Sequence, residues 1–303
     1  MSTPPVNRRR HPFQRRESSL IKIFQGSGAS ICHNLENDVT TRSEFIARLQ
    51  RKSGVIQEHV GNLINTRVSL HGTSIDIETA IRSIVNMYLK NFIGLGNRLT
   101  TAKEIDLYTG LCLEAFPLAL RYHSSRVAKQ SVLAAKELAL PEKEQRDLKL
   151  AAQFHDFGKF LLFGPDAKKP ASDPPPSSAL TRPKDRPWIE ARRYLSYFFM
   201  KEIKMLEGAA KIIQSMHAPK GCTMSDGSMI LSAVNRLDTA YHPVSLVEKT
   251  TIPPPAFRHR DERPRVGIRE AFQELVRSKQ YKPAILTAIE KVIVEPEILV
   301  PPL

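Results

Sequence analysis

Apolar residues recur at three- and four-residue steps through most of this 303-residue chain, and the strict alternation of a half-buried strand is nearly absent. That pattern commits the chain to helices. In RSEFIARLQRKSGVIQEHVGNLINTRV, Phe45, Ile46 and Leu49 are followed by Val55, Ile56, Val60, Leu63 and Ile64. Gly54 predicts a break between two helices within this stretch. After a turn at His71-Gly72, the stripe Ile77, Ile81, Ile84, Val85, Tyr88 and Leu89 predicts another helix. Ser74 or Asp76 would cap it, and Gly94 or Gly96 would end it. Further helical segments are predicted over 113–139, 142–157, 188–216, 227–241 and 267–294. The fold class is therefore all-α, without internal repeats.

Proline divides these helical stretches. Residues 164–187, GPDAKKPASDPPPSSALTRPKDRP, cannot continue a helix or a central strand and read as an exposed insertion. Its three-proline run could dock a polyproline-binding module, although a plain linker is the commoner reading. TIPPPAFRHRDERPR is a second irregular stretch. Residues 1–19 read as a disordered basic tail, and the arginines there precede no apolar region of a secretory signal. No run of about 18 apolar residues predicts a transmembrane helix.

Cys32, Cys112 and Cys222 are odd in number and widely spaced, which suits a reducing cytoplasm and no disulfide frame. The formal charge of +14 permits contact with nucleic acid or an anionic membrane. No recognition helix, zinc finger or aromatic-basic RNA motif accompanies it, so solvated charge is the commoner reading.

The polar residues worth following lie on apolar stripes. His123 shares a helical face with Val127, Ala134 and Leu138, and His155 with Leu148, Ala151 and Ala152. His217 is in phase with Ala210 and Ile213. Asn235 and Asp238 lie three apart, beside Leu231 and Val234. A lone histidine on an apolar face is more often a hydrogen-bonded core residue than a ligand, which leaves that alternative open for His123 and His217. Asp156 beside His155 is harder to reconcile with a plain core, because an isolated buried carboxylate is costly. Imidazole and carboxylate together suit first-row divalent metals, which lower the pKa of bound water and polarise phosphoryl oxygens. Gly158 is expected to end the helix of His155. Lys159 could neutralise phosphate, or could be an exposed lysine complementing the helix dipole.

YHSSRVAKQSVLAAKELALPEKEQRDLKLAAQFHDFGKF resembles the first half of the bacterial HD phosphohydrolase core, especially the HD-GYP branch. RPWIEARRYLSYFFMKEI is similar to its tryptophan-led helix, AAKIIQSMHAPKG to its double-histidine helix, and ILSAVNRLDTAY to the helix of its last aspartate. REAFQELVRSKQYKPAILTAIEKVI resembles its closing helices. Upstream, SGVIQEHVGNLINTRVSLHGTSIDIETAIRSIVNMYLKNFIGL resembles the N-terminal lobe of HDOD proteins, HD-related output domains of bacterial signalling. Asn65-Thr66 stands there where that lobe usually has Asn-Ser. The resemblance implies a helical N-terminal lobe over 20–112 packed on an HD-type helical core over 113–300 that carries the insertion.

The resemblance also implies a ligand set. His123, His155 and Asp156 match metal ligands of the family. Tyr194 and Met216 stand where histidines are expected, and His217 keeps the second of a histidine pair. The final metal aspartate maps most naturally onto Asn235, with Asp238 matching a second aspartate one turn later. The Gly-Tyr-Pro loop is replaced by HAPKGCTMSDGSM. A dinuclear site lacks ligands, since methionine binds hard divalent ions poorly and asparagine is neutral. A mononuclear site of His123, His155, Asp156 and either Asp238 or Asn235 remains, with Mn, Fe, Zn or Mg as candidate ions. Hydrolysis of cyclic di-GMP is disfavoured.

Two functions follow as expectations. One is a cytoplasmic signalling module with weak or no catalysis and a signalling protein as partner. The other is a metal-dependent phosphohydrolase acting on a nucleotide or phosphate ester, with Lys159 and His217 steadying the phosphate. A nucleotide ligand suits either, and nucleic-acid binding is a minor third reading.

Overall fold

The computed structural model describes residues 33, 36–69, 76–163, 186–216, 223–241 and 267–295. These residues form helices and short turns, and no strand occurs among them. The all-α reading holds. The basic tail, nearly all of the 164–187 insertion and the 251–265 stretch lie outside the described residues, as do Cys32, Cys222 and His217.

Helix α1 (Val39–Ser69) runs through Gly54 without the expected break. A helical glycine costs only about 1 kcal/mol against alanine. Around it Leu49, Ile56 and Val60 are fully buried, and the Ser53 hydroxyl donates to the Gln50 carbonyl at 2.7 Å. Packing on both sides of the glycine outweighs its local preference. Helix α2 (Ile77–Tyr88) is capped by Asp76, whose carboxylate accepts from the Glu78 amide at 3.0 Å. The chain turns at Leu89, and α3 (Lys90–Gly96) follows. Gly96 ends that helix at a close approach, since a Cβ there would lie 2.9 Å from the Ile203 side chain.

Helix α4 (Ala102–Glu114) starts with a reciprocal capping box between Thr101 and Glu104. The helix expected over 113–139 is therefore two helices, broken at Ala115–Pro117, with Pro117 in an extended conformation at the N-cap of α5 (Leu118–Glu137). The sequence boundary between residues 112 and 113 falls in the last turn of α4. Next come α6 (Glu142–Phe154), α7 (Phe157–Phe163) and α8 (Arg186–Lys201). Helix α8 takes up the last two residues of the expected insertion, and Pro187 is tolerated in its first turn. A 3₁₀ turn, Lys204–Leu206, interrupts the expected 188–216 helix before α9 (Glu207–Met216). The chain closes with α10 (Asp226–Tyr241), α11 (Ile268–Arg277) and α12 (Pro283–Ile289), the last extended by a wider helical turn over Glu290–Val294.

Helix α5 packs on α6 and α10, and α6 also carries α9. The short α7 is wedged between α1 and α8, and α8 in turn packs on α2 and α9. One continuous apolar core runs through all of these helices. At its centre the Phe157 ring stacks on Phe199 with centroids 4.3 Å apart, and Phe154, Phe116 and Phe160 surround Phe157. These rings fix α7 against α6 and α8, and so fix the turn His155-Asp156 that joins α6 to α7.

Candidate metal centre

Four helical elements converge where α6 ends. His123 comes from α5, His155 and Asp156 from the α6–α7 turn, Lys159 from α7 and Asp238 from α10. His123, His155 and Asp156 are all buried, and one ligand-type atom of each lies within 4.8 Å of the others. The phase argument from sequence holds for His123 and His155, since Val127, Ala134, Leu148, Ala151 and Ala152 are buried, while Leu138 is half-buried.

The hydrogen bonds fix both imidazole tautomers. His123 Nδ1 lies 2.7 Å from Asp238 Oδ2, and His155 Nδ1 lies 2.7 Å from the Ala152 carbonyl oxygen. An ionised carboxylate and a backbone carbonyl only accept, so each Nδ1 carries the hydrogen and donates it. The Nε2 atom of each ring then points inward. The two Nε2 atoms face each other at 3.2 Å, and each is 3.7 Å from Asp156 Oδ2. Two inward-facing imidazole nitrogens beside an anionic oxygen call for a cation among them, either a metal ion or a proton shared between the two rings.

The spacing suits such a cation. A triangle with sides 3.2, 3.7 and 3.7 Å has its centre about 2.1 Å from each corner, which matches metal–nitrogen and metal–oxygen bonds of about 2.0–2.2 Å. The wider calcium bonds of about 2.3–2.6 Å fit it less well. These residues could hold a metal ion.

Charge around the centre is ordered. Burial opposes ionisation of Asp156, yet Lys159, His155, Arg192 and His123 together hold its carboxyl well below the usual carboxylate range. Burial pushes the His155 imidazole below its ordinary value, and the Asp156 charge offsets this only in part. Lys159 Nζ lies 3.4 Å from Asp156 Oδ2, and its side chain is largely buried. Lys159 is therefore turned into the centre and is not the exposed helix-end lysine of the alternative reading. Gly158 does not end the helix of His155 either. Helix α6 ends at Phe154, and Gly158 lies inside α7.

Asp238, and not Asn235, is the residue of α10 that reaches the centre. It does so through the far nitrogen of His123. Its Oδ1 accepts from Arg126 Nε at 2.7 Å, and its Oδ2 from Arg126 Nη2 at 3.0 Å as well as from His123. Burial raises the cost of its charge, but the His123 and Arg126 hydrogen bonds outweigh that and keep its pKa below the ordinary value. A carboxylate that holds the outer nitrogen of a ligating histidine fixes its tautomer and increases its basicity. Asn235 is half-buried on the same helix. Tyr194 stacks on Phe198 with centroids 5.8 Å apart, and burial together with the Glu78 charge raises its phenol pKa. Met216 packs against the apolar core.

Three contributors escaped the sequence reading. Arg126 had a signal, because it lies three residues after His123 and so on the same face. Arg192 and Ser196 had none, since their role depends on how α8 crosses α7. Cys112 is a free, fully buried thiol raised far above its ordinary pKa by burial, and no ligand role falls to it. No helix among the described residues is long and apolar enough to cross a membrane.

No protein-family model, curated protein or solved structure matches this chain.

Proposed function

We propose that this chain is a regulatory module of the HDOD type, akin to the HD proteins of bacterial signalling. In it one divalent ion on His123, His155 and Asp156 steadies a buried polar centre, and turnover is weak or absent. The observation that carries the reading is the double engagement of Asp238. Both of its oxygens are committed to His123 and Arg126, which leaves three ligands for one ion. Tyr194 and Met216 offer no second set. Two imidazoles with one carboxylate suit zinc or iron better than magnesium, which prefers oxygen ligands alone. The module would act through a signalling protein partner, with a nucleotide as a candidate ligand.

A second reading, a metal-dependent phosphohydrolase, is favoured by one feature. A three-ligand set resembles catalytic metal sites that keep a position open for water, and Lys159 and Arg192 lie beside it to meet an anion.

One experiment separates the two. Protein purified without a metal-affinity step is assayed for metal by mass spectrometry beside Asp156→Ala. Both are then loaded with Mn, Fe or Zn and offered bis-p-nitrophenyl phosphate and a nucleotide panel that includes cyclic di-GMP. About one bound ion, lost in Asp156→Ala, without metal-dependent turnover supports the regulatory reading. Turnover lost in Asp156→Ala replaces it with the hydrolase. No bound metal under any loading overturns the metal centre in both readings.

A further inference from the structure

We infer that Ser196 is a positioning residue that sets His155 and Asp156 at the spacing a metal ion needs. The inference rests on the metal-centre reading above and adds a residue that neither the ligand set nor the phase of the helices points to. Ser196 lies on α8 and is completely buried. Its Oγ accepts the Gly158 amide hydrogen at 2.8 Å and donates to the His155 carbonyl at 3.2 Å.

The geometry of the turn explains why these two bonds matter. Neighbouring residues in an unbroken α-helix diverge by about 100°, so consecutive side chains do not converge on one point. Here the ladder breaks between them. The Lys159 and Phe160 amides both donate to the Asp156 carbonyl, at 2.9 and 3.1 Å, and thereby start α7. That shift takes the Lys159 amide away from the His155 carbonyl, its partner in a continuous helix. It also leaves the Gly158 amide among the first, unpaired donors of α7. One hydroxyl from a third helix satisfies both orphans and joins the end of α6 to the start of α7.

The close approach that permits this contact is built in at Gly158. A Cβ there would fall 1.9 Å from the Arg192 carbonyl oxygen, one turn before Ser196 on the same helix. Only a glycine lets α7 come near enough for the Ser196 hydroxyl to reach the turn. His155 Nδ1 is held separately by Ala152, so Ser196 controls the backbone of the pair while Ala152 controls the ring.

The test compares Ser196→Ala, Ser196→Thr and Ser228→Ala. Ser228 is also fully buried and also donates to a backbone carbonyl, that of Ile212 at 2.9 Å, but it lies away from the metal centre. Cobalt(II) is titrated into each folded variant, and its visible d–d bands report coordination geometry. Ser196→Ala is expected to bind about 10- to 100-fold more weakly than the parent, the usual cost of removing a partner behind a ligand. Its band positions should shift, Ser196→Thr should recover both properties, and Ser228→Ala should keep parental affinity. Parental affinity and bands in Ser196→Ala overturn the inference, as does an equal loss in Ser228→Ala. A parent that binds no cobalt overturns the metal-centre reading instead. In that event the imidazole 15N shifts of His155 decide Ser196 alone: a change specific to Ser196→Ala upholds its positioning role, and unchanged shifts end it.

Discussion

At the scale of single residues, the contrast between Asp238 and Asn235 is the most informative. Truncating Asp238 leaves the His123 Nδ1 hydrogen without a partner in a buried setting, a loss of about 1–3 kcal/mol. Arg126 is about a third exposed on its side chain and can turn to water, so the larger penalty of a stranded buried charge does not apply. Asp238→Ala is therefore expected to lose about 1–3 kcal/mol in urea melts and about 10- to 100-fold in metal affinity, whereas Asn235→Ala keeps the affinity of the parent. Equal losses in both variants would mean that Asn235 is a ligand. The charge on Asp238 also sets a pH dependence. Its folded pKa lies below the unfolded value of about 3.9, so its contribution is complete above that value and is lost as pH falls through the folded pKa. The stability gap between the parent and Asp238→Asn should narrow as pH falls below about 4. A gap that widens below that pH would contradict the sign. His123 and His155 were legible in sequence because helical phase puts them on buried faces, and Asp156 because a carboxylate next to His155 is costly to bury alone. Arg192 and Ser196 were not, because no local pattern encodes a crossing between α7 and α8, helices separated in sequence by 164–185.

At the scale of elements, two glycines in tight contacts separate backbone from side-chain constraint. A Cβ on Gly158 meets the Arg192 carbonyl oxygen at 1.9 Å, and that atom belongs to a helix backbone. A Cβ on Gly208 meets Asp147 Oδ2 at 2.1 Å, the far end of a side chain that also pairs with Lys143 at the surface. Gly158→Ala must push α7 from α8 and is expected to cost about 3 kcal/mol or more, at the upper end of overpacking. Gly208→Ala only displaces a carboxylate, and the gain of alanine over glycine in a helix, about 1 kcal/mol, offsets part of that. Chemical denaturation of the two variants checks the order, and a Gly208→Ala loss as large as that of Gly158→Ala would refute it. Element boundaries divide in the same way. The caps at Asp76 and Thr101 act through neighbours in sequence and could be read from it. The continuity of α1 through Gly54 comes from packing on both sides, so the local signal misled. Pro117 is a local signal for the break between α4 and α5, which the helix expected over 113–139 ran through.

At the scale of the whole molecule, the helices before α5 and those from α5 onward share one core, and Trp188 marks where they meet. It is the only tryptophan of the chain, it is buried on α8, and it packs beside Phe163 of α7 and close to Gly61 of α1. Further ties cross the same divide. The Asn97 side-chain amide donates to the Glu202 carbonyl at 2.7 Å, and Lys149 of α6 pairs with Asp106 of α4 at 3.0 Å. Helix α7 carries the Asp156 turn and is itself held by α1, so the candidate metal centre is coupled to the N-terminal helices through packing. Tryptophan fluorescence and far-ultraviolet circular dichroism should accordingly unfold with one midpoint. A divalent ion that binds only the folded state adds about 2.7 kcal/mol at a free concentration 100 times its Kd. For a domain of this size that is a rise in Tm of about 5–10 °C. Both probes should rise together on loading and fall together when a chelator removes the ion, while Asp156→Ala shows no rise. If the N-terminal helices melted on their own, the dichroism trace would divide, and only its upper part would follow the metal. Two separate midpoints would therefore reject the single coupled core, while coincident midpoints that ignore metal would reject only the link between the metal centre and the fold.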